Sequence, residues 1–370
     1  MTRIRVAIIF GGRSSEHAIS CSTAAGVLSA IDRSRFDVVP IGIARDGSWL
    51  LLPDDPEPLR LDGARLPEVR ADHPEVVLPF GPRTGRVLVS PASEGARVLS
   101  GVDVVLPLLH GPFGEDGTLQ GLLELLGLPY VGSGVLASAA GMDKHAMKVL
   151  LAGAGLPVGP YTVITRAGWE RDRALCLDPI PSLGDVVFVK PSRAGSSMGV
   201  SRVVLADGED ALVAAIEDAR RHDPKVLVEA AIDGREIEVA VLQGRGTDRP
   251  RTTAPGEIVV GGDRAFYDFE AKYIDTSSTS LRIPAVVSDE DEAAARALAA
   301  DAFDALGCEG LARVDLFLTG TGPIVNEVNT MPGFTPFSMF PQLWQHEGLT
   351  YPELITELLE LALERPVGLR

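Results

Sequence analysis

Cysteine is scarce in this chain. Cys21, Cys176 and Cys308 are its only three in 370 residues, far apart and odd in number. None has a partner at zinc or redox spacing, which excludes a zinc ribbon and a dithiol motif and points to a reducing compartment. Long apolar runs are missing as well. The run Val6–Phe10 follows Arg3 and Arg5 and is too short for a signal-peptide core with a cleavage site. No stretch approaches a membrane span, so a cytoplasmic protein with no membrane partner is expected. Positive charge is in deficit, with 34 Lys and Arg against 51 Asp and Glu and a net charge of −17. That balance argues against sequence-independent nucleic-acid binding or attachment to anionic lipid. An anionic substrate then needs a local cluster of Lys and Arg. No P-loop is present, and Gly11-Gly12-Arg13-Ser14-Ser15-Glu16 lacks the glycine spacing of a dinucleotide fingerprint.

What is present is an ordinary globular mix, 45% hydrophobic and 23% charged, in a chain long enough for two or three domains. Val6–Phe10, a helical pattern over 18–30, Val38–Ile43 and Val102–Leu109 alternate as in a doubly wound α/β domain, with ligands at the carboxyl ends of its strands. Residues 45–100 are rich in proline, glycine and charge and read as an elaboration with a weak strand at Val87–Ser90. A helix is expected over Leu119–Leu126 and a longer one over Val135–Leu151, stopped by Gly153-Ala154-Gly155 and Pro157. Strands at Tyr161–Ile164, Val186–Lys190, Gly199–Val204 and Val226–Glu229, with a helix over 210–220, make an α+β middle region. The last region has strands Glu236–Leu242 and Gly256–Val260, a long loop, a helix over 289–306, a hairpin and a closing helix from Tyr351. The expected division is 1–132, 133–232 and 233–370.

The hairpin is the most informative segment. Leu311–Leu318 and Ile324–Val328 flank the turn Thr319–Pro323. Alternation puts Arg313 and Asp315 on one face, and Glu327 with Asn329 on one face. A hairpin symmetric about Thr321 sets Asp315 opposite Glu327. Facing carboxylates repel, so something positive belongs between them, either a metal ion or, on a solvated strand face, Arg313 neutralising both acids. Oxygen ligands suit Mg²⁺, which with few protein ligands usually also holds substrate phosphates. Lys190-Pro191-Ser192-Arg193-Ala194-Gly195-Ser196-Ser197 is a small-residue loop after a strand, able to wrap phosphate oxygens with backbone N–H groups and the Ser196 and Ser197 hydroxyls. Lys144, Glu229 and Glu236 are candidates by context. Phe266–Tyr273, between glycines and a Ser/Thr run, reads as a lid that excludes water. Glu16 lies just beyond the first strand and His110 at the end of another in the same domain, where they could hold an ammonium and a carboxylate; His110 alone reads as a packed, hydrogen-bonded histidine. Asn329-Thr330-Met331-Pro332-Gly333 to Ser338 offers N–H groups and hydroxyls for an oxyanion or carboxylate.

Five motifs in order, His110-Gly with Gly114–Gly117, Lys190–Arg193 with Gly195-Ser-Ser, Tyr267-Asp with Glu270–Tyr273, Arg313-Val-Asp315, and Glu327–Thr330 with Pro332-Gly333, resemble the D-alanine–D-alanine ligases of the ATP-grasp superfamily. The resemblance covers nearly the whole chain except about 45–100. It implies a three-domain ATP-grasp ligase that joins two D-alanine molecules through a D-alanyl phosphate for peptidoglycan synthesis, with ATP and two Mg²⁺ or Mn²⁺ ions. Lys144, Lys190 and Ser197 would contact phosphates, Lys272 would approach them from the lid, and Glu229 and Glu236 would read adenine and ribose. Asp315, Glu327 and Asn329 would ligate metal. Glu16, Ser196 and Tyr273 would form the network around the first D-alanine, with His110 beside it. Arg313 and the Gly333 backbone would stabilise the tetrahedral intermediate, and Ser338 would bind the second carboxylate. A homodimer is implied by analogy. Ala194 stands where many relatives have Glu, and Ala230 where some have Lys, which touches nucleotide affinity. The alternatives are a D-alanyl-D-lactate ligase and a non-catalytic nucleotide sensor. Lys272-Tyr273 resembles the dipeptide type, and every position facing metal or phosphoryl carries a competent residue.

Overall fold

The computed structural model describes residues 3–61, 66–77, 88–90, 97–98, 101–195, 198–260 and 279–366. The predicted lid, with Lys272 and Tyr273, and the two serines Ser196 and Ser197 lie outside these.

The first sheet takes in β1 (Ile4–Gly11), β2 (Phe36–Ile43), β3 (Trp49–Leu51), β4 (Glu75–Val77), β5 (Leu88–Ser90), β6 (Arg97–Val98) and β7 (Val104–Pro107), in the order β6-β5-β4-β3-β2-β1-β7. β1 pairs in parallel with β2 and β7, and its residues Val6 to Phe10 are almost wholly buried. That is why they read as a continuous apolar run and not as an alternation. β3 to β6 continue from β2 as antiparallel strands, so the described parts of 45–100 extend this sheet. Helices α1 (His17–Ala30) and α2 (Thr118–Leu126) accompany the sheet.

The single helix expected over 135–151 is two: α3 (Val135–Met142) and α4 (Lys144–Gly153). Asp143 between them is extended, with φ −94° and ψ 98°, and its carboxylate caps α4 at the Ala146 N–H. A capping aspartate satisfies an otherwise orphaned donor and favours a helix start over helix continuation.

The second sheet is antiparallel, in the order β10-β9-β11-β8, from β8 (Tyr161–Ile164), β9 (Val186–Pro191), β10 (Ser201–Val204) and β11 (Val226–Ala230). Two short helices, α5 (Arg166–Arg171) and α6 (Arg173–Leu177), follow β8, and α7 (Glu209–Arg220) lies against the sheet. The third sheet is built on β12 (Arg235–Leu242), with β13 (Arg251–Thr252), β14 (Gly256–Val260), β15 (Thr279–Arg282), β16 (Leu311–Thr319) and β17 (Gly322–Asn329). Its order is β15-β14-β12-β16-β17, with β13 beside β12. Helix α8 (Asp289–Ala305) packs on it, and α9 (Met339–His346) and α10 (Tyr351–Glu364) close the chain.

The cores explain how the parts are joined. Val6, Ile8 and Phe10 of the first sheet share one buried cluster with Leu242 of the third sheet, Phe340 of α9 and Leu358 of α10. The second sheet has a cluster of its own around Trp169, Ile216 and Val228. Met147 and Leu151 of α4 are buried with Phe303 of α8 and Val314 of β16. First and third regions therefore form one packed body, and α4 belongs to it. Among the described residues no helix is long and apolar enough to cross a membrane.

Candidate active site

The three sheets meet around a cavity of about 820 Å³ whose walls include Glu16 and His110 from the first region, Lys190 and Glu229 from the second, and Arg313 and Glu327 from the third.

The acidic hairpin forms one wall. Asp315 pairs with Glu327 and Arg313 with Asn329 across β16 and β17. The expected pairing holds, but the turn is not centred on Thr321. Thr319 pairs with Gly322, so Gly320-Thr321 alone make the turn, and the register shifts between Asp315 and Leu316, leaving Asn326 as an extra residue. This bulge corrects the one-residue offset that would otherwise turn Glu327 to the other face. Each carboxylate has its own cation. Arg313 is bidentate on Asp315 at 2.6 and 2.7 Å and lies 3.1 Å from Glu238, while Lys144 Nζ is 3.4 Å from Glu327. Burial works against the Arg313 charge, but Asp315 and then Glu238 outweigh it and hold its pKa well above the ordinary value. The Asn329 amide donates to Asp315 at 3.0 Å. Among the described residues no group of three or more His, Cys, Asp or Glu is arranged to hold a metal. Two carboxylates and an amide oxygen fit the other kind of site, in which Mg²⁺ takes one or two carboxylates and completes its shell with water and substrate phosphates.

Lysines form the facing wall. Lys190, next to last in β9, contacts Glu229 at 2.6 Å, and Lys148 contacts the same carboxylate at 3.2 Å. Burial acts to raise the Glu229 pKa, but the two ammonium groups hold it down at about 2. Lys148 moves the other way, its pKa lowered chiefly by burial. Glu229, expected at adenine, thus sits buried between two lysines, with one carboxylate serving both. Lys144 donates to the Ala194 carbonyl at 3.1 Å, which places it between the phosphate loop and Glu327. Glu236 lies at the cavity edge on the exposed start of β12.

The third wall is the Glu16 end. Glu16 is buried and directly precedes α1. A side chain at Gly111 would put its Cβ 2.8 Å from Glu16 Oε2, and one at Gly195 would put it 3.0 Å away. Only glycine lets these two loops, from different sheets, close on the same carboxylate. His110 is buried, its Nε2 has no hydrogen-bond partner, and burial lowers its pKa. It lines the cavity. Ser338 directly precedes α9, its hydroxyl 2.8 Å from Thr335 Oγ1, and Gly333 lies against it. The structure therefore brings together Glu16, His110, Lys144, Lys190, Glu229, Glu236, Arg313, Asp315, Glu327, Asn329, Gly333 and Ser338.

Three contributors went unread in the sequence. Lys148 is four residues after Lys144, so both project from one face of α4. Glu238 follows Glu236 by two and pairs with Asp315 in the sheet register. Glu115 lies inside the His110–Gly117 motif and accepts from the Gly111 N–H at 2.5 Å. Burial, then the Glu16 charge, pushes the Glu115 carboxyl up to about 8.

A phosphate loop on one antiparallel sheet, facing an acidic hairpin on another across a cleft, defines an ATP-grasp ligase. Family models agree. The D-ala D-ala ligase N-terminus matches residues 5–133, and the D-ala D-ala ligase C-terminus matches residues 150–360. The chain is 57% identical to a D-alanine–D-alanine ligase of Pseudarthrobacter chlorophenolicus over 99% of its own length and 96% of that protein's. It is similar to the VanG D-Ala:D-Ser ligase of Enterococcus faecalis, with TM-score 0.83, 35% identity, and 98% and 100% of the two chains covered. It also resembles the D-alanine–D-alanine ligase of Bacillus anthracis complexed with ATP, with TM-score 0.69, 25% identity and 97% of each chain covered. The chain belongs to the D-alanine–D-alanine ligase family.

Proposed function

We propose that this cavity joins two D-alanine molecules into D-alanyl-D-alanine, driven by conversion of ATP to ADP and phosphate, and so supplies the peptidoglycan precursor. A free carboxylate is a poor acylating agent. The first D-alanine carboxylate therefore attacks the γ-phosphorus, the bond to ADP breaks, and a D-alanyl phosphate forms. The amine of the second D-alanine attacks the acyl carbon, a proton is lost, and phosphate leaves.

The residues divide this work. Lys144, Lys148 and Lys190 hold the phosphates, with Ser197 in the loop and Lys272 in the lid segment as further contacts. Glu229 sets the position of two of those lysines beside the adenine end, and Glu236 takes the ribose. Asp315, Glu327 and Asn329 hold two Mg²⁺ or Mn²⁺ ions, which when bound neutralise charge on the phosphates. Glu16, with Ser196 and Tyr273, holds the ammonium of the first D-alanine. His110 lies beside the first D-alanine, and Ser338 binds the carboxylate of the second. Arg313 and the Gly333 N–H oppose charge growing on the acyl oxygen. Residues 1–132, 133–232 and 233–370 are the three domains, and the protein works as a cytoplasmic homodimer.

The observation that carries this reading is Lys144 bridging the phosphate loop and Glu327 in the cavity that Glu16 also lines. Incubation with ATP, Mg²⁺ and D-alanine should release phosphate and form the dipeptide in equal amounts. Folded protein that does neither contradicts it.

A further inference from the structure

We propose that Asp143 is a positioning residue that ties the phosphate loop to the start of α4, so that the loop and Lys144 meet the nucleotide as one unit. The inference deepens the ligase reading and rests on it. Asp143 Oδ1 accepts from the Ala146 N–H at 3.1 Å and from the Ser192 hydroxyl at 2.8 Å. Its Oδ2 takes the Lys225 ammonium and lies 4.0 Å from Arg193. Ser192 directly follows β9, two residues after Lys190. Its N–H donates to the Lys225 carbonyl and its own carbonyl accepts from the Lys144 N–H, both at 2.9 Å. Arg193 is then held by Asp223 at 2.8 and 2.9 Å.

These contacts cross a boundary between packing units. α4 is fixed to the third sheet through Met147 and Leu151, whereas Ser192 and Lys225 belong to the second sheet, whose core is separate. One half-buried carboxylate is the hub between them. It stabilises the helix N-terminus, where negative charge is favoured. It also holds the loop root, so that Lys144 stays in reach of both the Ala194 carbonyl and Glu327. Asp143 touches no substrate in this arrangement. Its effect on nucleotide passes through Ser192 and Lys144.

Asp143→Ala, Asp143→Asn and Lys225→Gln test this. Affinity for a fluorescent ATP analogue is measured without D-alanine, and KM values for ATP and D-alanine are measured separately. Asp143→Ala should weaken nucleotide binding and raise the ATP KM about tenfold, as expected for losing a charged hydrogen-bond hub. The D-alanine KM and the melting temperature should change little. Asn keeps the cap and the Ser192 bond but loses the Lys225 ion pair, so its loss should match that of Lys225→Gln and be smaller than that of Ala. Lys225→Gln, which leaves the cap intact, should shift ATP affinity in the same direction and decides the matter if Asp143→Ala does not fold. Unchanged nucleotide affinity in the folded variants, or ATP and D-alanine KM values rising together with lost stability, would overturn the proposal. Dipeptide formation by the unmodified protein tests the ligase reading separately, since nucleotide binding reports on Asp143 without turnover.

Discussion

Asp315 and Glu327 stand opposite each other across the β16–β17 hairpin because Asn326 bulges between Glu327 and the turn. The two-residue Gly320-Thr321 turn alone would pair the strands one residue out of step. The bulge restores the pairing and brings both carboxylates to the cavity.

Deleting Asn326 removes the extra residue and leaves a regular ladder with Leu316 opposite Val325 and Asp315 still opposite Glu327, so dipeptide formation should largely persist. Inserting one alanine after Asn326 instead puts Glu327 and Asn329 one residue out of step with Asp315 and on the wrong face, and dipeptide formation should be lost. Equal activity in the two variants would separate the hairpin register from the site.

Asp315→Asn and Glu327→Gln should each lower kcat by at least about a hundredfold, because metal neutralisation of a transferring phosphoryl is worth several kcal/mol. Melting temperatures should stay close to the parent value. Near-normal turnover of either variant at limiting Mg²⁺ would remove these acids from metal binding.

Glu229→Gln should destabilise the resting protein. The variant leaves Lys148 and Lys190 without the buried carboxylate that compensates them, and breaking such an arrangement costs about 3 kcal/mol or more. In the parent protein the depressed Glu229 pKa stabilises the fold above the ordinary carboxylate range. That contribution is lost as pH falls from 4.5 towards about 2. ATP should raise the melting temperature of Glu229→Gln more than that of the parent, since phosphates supply the missing negative charge. Calorimetry with and without nucleotide checks both statements.

Glu115 gives a pH dependence of opposite sign. Its carboxyl is raised from 4.5 to about 8 by burial first and the Glu16 charge second. Between those values the folded protein holds a proton that the unfolded chain has released, so this group's contribution to stability falls as pH rises and levels off beyond about 8. Glu115→Gln should flatten that part of the profile. Melting curves across neutral to mildly alkaline pH that fall equally in parent and variant would show that Glu115 is already ionised.

Much of this arrangement is legible in the sequence where the signal is local. β1 and β9 are apolar runs ending at glycine-rich loops, and the alternation of β16 and β17 places Arg313, Asp315, Glu327 and Asn329. A symmetric turn also pairs Asp315 with Glu327, and the pairing holds because a shorter turn and a bulge offset each other. Features set by distant partners were not legible. The break at Asp143 depends on Ser192 and on Lys225, 82 residues further along the chain. The role of Glu229 depends on Lys148, which sequence spacing alone presents as an exposed helix lysine. Helix α9 hides behind Pro341, which lies in its first turn, where proline is tolerated.

The central claim is that the cation lies between the acidic hairpin and the lysine-bearing phosphate loop. Crystals grown with Mn²⁺ and a non-hydrolysable ATP analogue, measured at the manganese absorption edge, test it most directly. Anomalous peaks within bonding distance of Asp315, Glu327 and Asn329, beside the phosphates, are the predicted result. Manganese elsewhere in the cavity, with Arg313 still bidentate on Asp315 and nucleotide bound, would contradict it.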